Sequence, residues 1–139
     1  VHSAANLRSF FAMTDALLDP EILAPLLEIA GPDAVRPILV QFEAQIVEKQ
    51  DAIARAIDRR DFSGLRAHAH SLKGAAASLG AIGVAKIAAQ LELDANKRLV
   101  LADAIEGDLT DIRPAFERLR LVGTPTIAQL RALVDHAPR

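Results

Sequence analysis

His70, Lys73 and Gly74 fall within the run Ala67-His68-Ala69-His70-Ser71-Leu72-Lys73-Gly74, which continues to Gly80. A neutral imidazole is a nucleophile near neutral pH, and a lysine three residues on can reach back beside it on a helix. The lysine's charge disfavours imidazolium and can neutralise an anionic group, such as a phosphoryl group, as charge develops. Gly74 costs a helix interior about 1 kcal/mol relative to alanine, so it calls for a reason. Clearance above the imidazole for an approaching protein supplies one.

The helix that carries these residues must turn them towards water. At about 100° per residue, Ser63, Arg66, Ala67, Lys73, Gly74 and Ala77 lie within roughly 60° of His70. The opposite stripe is Leu65, Ala69, Leu72, Ala76 and Leu79, spaced as the core face of an amphipathic helix. His70 therefore points outward and Leu72 inward. Ser63, Arg66, Ala67, Ser71, Ala77 and Ser78 form the expected partner-contact face. Asp61 is the expected N-cap of this helix, which runs from about Phe62 to Leu79 before Gly80 ends or bends it.

The motif resembles that of the histidine-containing phosphotransfer (HPt) family of two-component phosphorelays. The family pattern is His-x-x-Lys-Gly with a second glycine ten residues after the histidine, here His70, Lys73, Gly74 and Gly80. Leu72 fills the usual aliphatic slot, and Leu91-Glu92 continue the similarity after the motif. It spans about Asp19 to Leu121, with Ala75 and Ala76 standing where many members carry serine. The resemblance implies an antiparallel four-helix bundle. It implies His70 as phosphoacceptor, Lys73 as electrostatic support, and response-regulator receiver domains or a hybrid histidine kinase as partners. It further implies that Mg²⁺ sits on the receiver and that this domain binds no cofactor of its own.

Composition narrows the alternatives. The 139 residues suit one domain with a sizeable core, and 51% apolar content favours folding over disorder. With no Trp or Tyr and a net charge of -2, the chain has neither base-stacking platforms nor a basic field for nucleic acid. The lack of cysteine excludes disulfides and thiolate metal sites and fits a reducing, cytoplasmic setting. No apolar run reaches 18 residues and no leader-like segment opens the chain, so no membrane contact is expected. An opening Val1 is expected of a tag remnant or of a domain cut from a longer protein. A monomer is expected.

Helical periodicity runs nearly throughout. Leu7, Phe10, Phe11, Leu17 and Leu18 predict a first helix ending before Asp19-Pro20, and a short helix starts at Pro20, delayed or kinked by Pro25. Gly31-Pro32-Asp33 opens a long helix to about Arg59, with Val35, Leu39, Phe42, Ile46, Ile53 and Ile57 as its apolar stripe. Pro37 is tolerated near its first turn. Val84, Ile87, Ala88 and Leu91 mark a helix to about Asn96. Ile105, Leu109, Ile112, Phe116 and Leu119 mark another, with a kink expected at Pro114. Thr124-Pro125 reads as N-cap and first residue of a separate accessory helix over about 124–136. The architecture is an all-α bundle of four main helices with short terminal ones.

Other side chains take bland readings. His68 is a boundary residue, and a His68–His70 metal pair is disfavoured because residues two apart face different sides of a helix. His2 and His136 are incidental. Glu92 and Asp94 belong to a solvated face. Arg66 is a surface arginine or a steering charge for an acidic partner. The mixed cluster Arg55, Asp58, Arg59, Arg60 and Asp61 is structural, or the rim of a docking surface. No phosphate loop, dinucleotide turn or nucleophile elbow is present, and no carboxylate pair suits acid–base work. The favoured reading is a phosphorelay intermediate passing a phosphoryl group between receiver aspartates. The alternatives are the phosphoacceptor domain of a chemotaxis-type histidine kinase and a bundle that binds a receiver without transfer.

Overall fold

The structure, a computed structural model, describes residues 17–101, 109 and 111–138. Five helices account for most of them: α1 (Pro20–Ala30), α2 (Pro32–Asp58), α3 (Phe62–Ser78), α4 (Ile82–Val100) and α5 (Ile112–Asp135). No strand occurs among the described residues. The four long helices pack in a ring, α2 on α3, α3 on α4, α4 on α5 and α5 back on α2, while α1 lies against α2. Short connections make α2, α3 and α4 antiparallel neighbours. The expected bundle is therefore present.

Its core follows the periodic stripes. Val35, Leu39, Phe42, Ile46, Ile53 and Ile57 of α2 are all buried, as are Leu65, Ala69, Leu72 and Ala76 of α3. Burying side chains of this size contributes about 1.5–3 kcal/mol for each large aliphatic or Phe. Small buried residues, Ala69 and Ala76 on α3 and Ala88 and Ala95 on α4, belong to one core and let these two helices pack extensively.

Local signals fix the ends of α3. Asp61 Oδ1 accepts from the Gly64 N–H at 2.9 Å, so Asp61 is the N-cap that its position predicts. At the other end, the Ala81 N–H reaches the Ala76 carbonyl at 2.9 Å and the Gly80 N–H reaches Ala77 at 3.2 Å. This closure needs a left-handed residue, and Gly80 has φ 76°. Gly80 also has no room for a side chain, because a Cβ would lie 2.6 Å from the Asp19 carbonyl oxygen. The Asp19 N–H donates to the Gly80 carbonyl at 2.8 Å and thereby ties the start of α1 to the α3–α4 turn.

Three helix boundaries differ from the periodic reading. Helix α4 runs on to Val100 rather than ending near Asn96, because Ala95 and Arg98 continue its buried stripe. Pro114 produces no kink: α5 starts at Ile112, so Pro114 falls in the first turn, where its missing N–H costs nothing. Thr124 and Pro125 do not open a separate helix; α5 continues through them to Asp135. An interior proline costs about 3 kcal/mol, yet burying Ile127, Leu130 and Val134 beyond it contributes about 1.5–3 kcal/mol each. Burial wins. The carbonyl left without its helical partner belongs to Leu121, which lies on the exposed side. Thr126 Oγ1 donates to the Val122 carbonyl at 2.6 Å in the same turn. Leu7, Phe10, Phe11 and Ile105 lie outside the described residues.

Candidate functional site

Helices α3 and α4 together build the site. Because Leu72 and Ala69 are buried, His70 must face away from the core, and its side chain is 70% exposed. Its Nδ1 lies 2.9 Å from Glu92 Oε2 of α4. Lys73, one turn along α3, donates from Nζ to the other oxygen, Glu92 Oε1, at 3.0 Å. One carboxylate thus binds both His70 and Lys73.

The electrostatics of Glu92 decide the direction of the imidazole bond. Its side chain is only 18% exposed, and this burial acts to raise its pKa. Hydrogen bonds from Lys73 and His70, and their charges, outweigh burial and bring it below the ordinary value of 4.5. An ionised carboxylate only accepts, so Nδ1 carries the proton and donates. In the neutral ring Nε2 then holds the free lone pair.

Gly74 is exposed, and a Cβ there would meet nothing within 4 Å. No packing among the described residues requires this glycine, which leaves the space beside the imidazole as its consequence. Ser63, Arg66, Ala67, Ser71, Ala77 and Ser78 are all exposed on the same helix. Arg66 Nη1 donates to Asn96 Oδ1 of α4 at 3.4 Å, and Ser78 Oγ donates to the Ala75 carbonyl at 2.8 Å. Leu72 is buried, as its slot requires.

His68 belongs to a different seam. Its Nδ1 lies 3.3 Å from Lys49 Nζ of α2, and since an ammonium only donates, this nitrogen accepts. The two histidines therefore engage different helices, His68 towards α2 and His70 towards α4. No cluster suited to a metal ion occurs among the described residues. No helix there is long and apolar enough to cross a membrane.

Two residues depart from the solvated face expected of them. Glu92 is half-buried and central to the site, and Asp94 is buried, with Oδ1 accepting from Gln90 Nε2 at 2.9 Å. The signal for Glu92 is the hairpin itself. His70 stands ten residues before Gly80 and Glu92 twelve after it, so antiparallel helices of equal rise bring them to nearly one level.

A family model described as the Hpt domain matches residues 37–137. It therefore takes in the C-terminal part of α5. No curated protein matches the chain. Among solved structures, the crystal structure of histidine-containing phosphotransfer protein B (HptB) from Pseudomonas aeruginosa PAO1 is similar, with a TM-score of 0.68 at 25% identity. The match covers 86% of this chain and 91% of that one.

Proposed function

The chain belongs to the Hpt domain family, with a role in phosphorelay histidine phosphotransfer, and from that premise we propose that His70 is its phosphoacceptor. Nε2 of His70 takes the phosphoryl group from an aspartyl phosphate on one receiver domain and passes it to the aspartate of another. The observation that carries this reading is the exposed imidazole held through Nδ1 by Glu92, with open space at Gly74 beside it.

In this reading, Glu92 selects the tautomer whose lone pair is on Nε2, and the bond to α4 limits rotation of the ring. Phosphoryl transfer between fixed groups is largely a matter of positioning and charge neutralisation. Lys73 is placed to serve both, through Glu92 in the resting site and through the phosphoryl oxygens once these arrive. The receiver supplies Mg²⁺ and most of the catalytic groups. Gly74 and the exposed residues Ser63, Arg66, Ala67, Ser71, Ala77 and Ser78 form the docking face, on which small side chains let a partner's site come close to Nε2.

Incubation with a panel of phosphorylated receiver domains tests the proposal, followed by measurement of how the acquired label survives acid and alkali. Phosphohistidine is lost in acid and comparatively stable in alkali, and that behaviour is expected. Label with the reverse stability, or transfer from no receiver, contradicts it. Labelling that requires an ATP-binding kinase domain instead would assign the chain to the kinase-linked alternative.

A further inference from the structure

We infer that Arg66 is a phosphoryl-binding residue, whose guanidinium takes the oxygens of the phosphoryl group once this sits on Nε2 of His70. The inference rests on the proposed phosphoacceptor role of His70. It adds a cation that the His70, Lys73 and Gly74 motif does not itself supply.

Arg66 forms the next rung of the seam that carries the site. It stands four residues before His70 on α3, and Asn96 stands four after Glu92 on α4. The two helices run antiparallel, so the Arg66–Asn96 contact lies one turn from the His70–Glu92 contact on the same face. Helical side chains lean towards the N-terminus, which carries His70 over the turn that holds Arg66 and Ala67. Both residues of that turn are exposed, and Ala67 contributes only a methyl. The long arginine side chain has the reach to meet a group attached on the water side of the imidazole.

The charges of the resting site leave Arg66 available. Lys73 is paired with the ionised Glu92 at 3.0 Å, and a neutral imidazole adds no charge. A phosphoryl group arriving on Nε2 brings about two negative charges near neutral pH. Lys49 is turned towards α2's contact with His68. Arg36, Arg98, Arg113, Arg120 and Arg131 each meet a carboxylate. Arg66 instead donates to the neutral Asn96 Oδ1, at 3.4 Å. An amide tethers the guanidinium to α4 without cancelling its charge. So long a bond yields to the shorter, charge-assisted pair that a guanidinium forms with phosphoryl oxygens.

The test uses the full chain labelled with phosphoramidate, a small phosphodonor, so that no partner protein takes part. An arginine that only steers an approaching partner then has no effect. Ionisation of the phosphoryl group on His70 is followed by ³¹P NMR as pH is varied at low salt, in wild type, Arg66→Gln, Arg66→Lys and Lys97→Gln. Arg66 and Lys97 are exposed, so all four proteins should fold. A cation against the phosphoryl oxygens favours their ionised form and holds the wild-type midpoint down. The midpoint should rise by about one unit in Arg66→Gln, and Arg66→Lys should restore most of the difference. Lys97→Gln removes the same charge from α4 next to Asn96 and should leave the midpoint nearly unmoved. Equal midpoints in wild type and Arg66→Gln overturn the inference while leaving His70 as phosphoacceptor. An equal rise in Lys97→Gln also overturns it, because the effect then belongs to the general field of the surface. Wild-type label on a residue other than His70, or no label, overturns the proposed function itself.

Discussion

Glu92 of α4 holds His70 of α3 through Nδ1 at 2.9 Å, so the proposed phosphoacceptor on one helix is oriented by a carboxylate from the next. The same carboxylate binds Lys73 at 3.0 Å, so two of the motif positions on α3 converge on one residue of α4. The α3–α4 seam, the most extensive helix contact among the described residues, is thus also the frame of the candidate site. Four consequences can be measured before the central one.

Lys73→Ala should slow transfer while leaving receiver binding largely intact. The loss of one charge-assisted contact near the phosphoryl group corresponds to about 1–3 kcal/mol in the barrier. Stability should change little, since Lys73 is about one-third exposed and such ion pairs contribute about 0–1 kcal/mol. Rapid-quench rates equal to wild type would remove Lys73 from the mechanism.

Gly74→Ala and Gly80→Ala should have opposite effects on stability. At Gly74 a Cβ meets nothing, so alanine should stabilise α3 by about 0.5–1 kcal/mol. Transfer should nonetheless slow, because the added methyl intrudes on the docking face. At Gly80, positive φ and the Asp19 carbonyl both oppose a side chain, and a loss of about 1–3 kcal/mol is expected. Denaturant melts of the two variants give the stabilities, and a Gly74→Ala protein that transfers at the wild-type rate excludes the clearance role.

Ala77→Glu distinguishes a docking face from a merely wet one. Ala77 is exposed, so the fold should tolerate the change within about 0.5 kcal/mol. Against a receiver's acidic active site, added bulk and negative charge should weaken both binding and transfer sharply. Normal binding by a folded variant, with circular dichroism unchanged, places the interface elsewhere.

Glu92 also predicts a pH dependence of stability. Its pKa in the fold is lowered, so the unfolded chain binds more protons as pH falls. Its contribution is fully present above the unfolded carboxylate value, near 4.5, and is lost as pH drops through the lower folded value. Wild type should thus exceed Glu92→Gln in stability at neutral pH, and the gap should close in acid. A gap that stays constant from neutral pH down to about pH 2 contradicts the ion-pair assignment.

The bundle and part of the candidate site's geometry are legible in the sequence, for physical reasons that differ. The α2 and α3 stripes are read correctly because burial repeats with the helical period, and His70 emerges by facing away from Leu72. The Asp61 cap and the Gly80 closure are local chemistry, visible without a fold. Glu92 is missed because a carboxylate beside Leu91 looks solvated until α3 is laid against α4. Pro125 misleads for a related reason: its local cost is plain, while the burial of Ile127, Leu130 and Val134 that overcomes it is tertiary.

The most direct measurement of the central claim is phosphoryl transfer from a phosphorylated receiver to His70→Gln, with His68→Gln and wild type alongside. His70 is exposed, so the His70→Gln protein should keep its helicity and nearly its full thermal stability. It should accept no phosphoryl group, whereas His68→Gln should accept it as wild type does. Full labelling of His70→Gln, or label mapped to His68, contradicts the account.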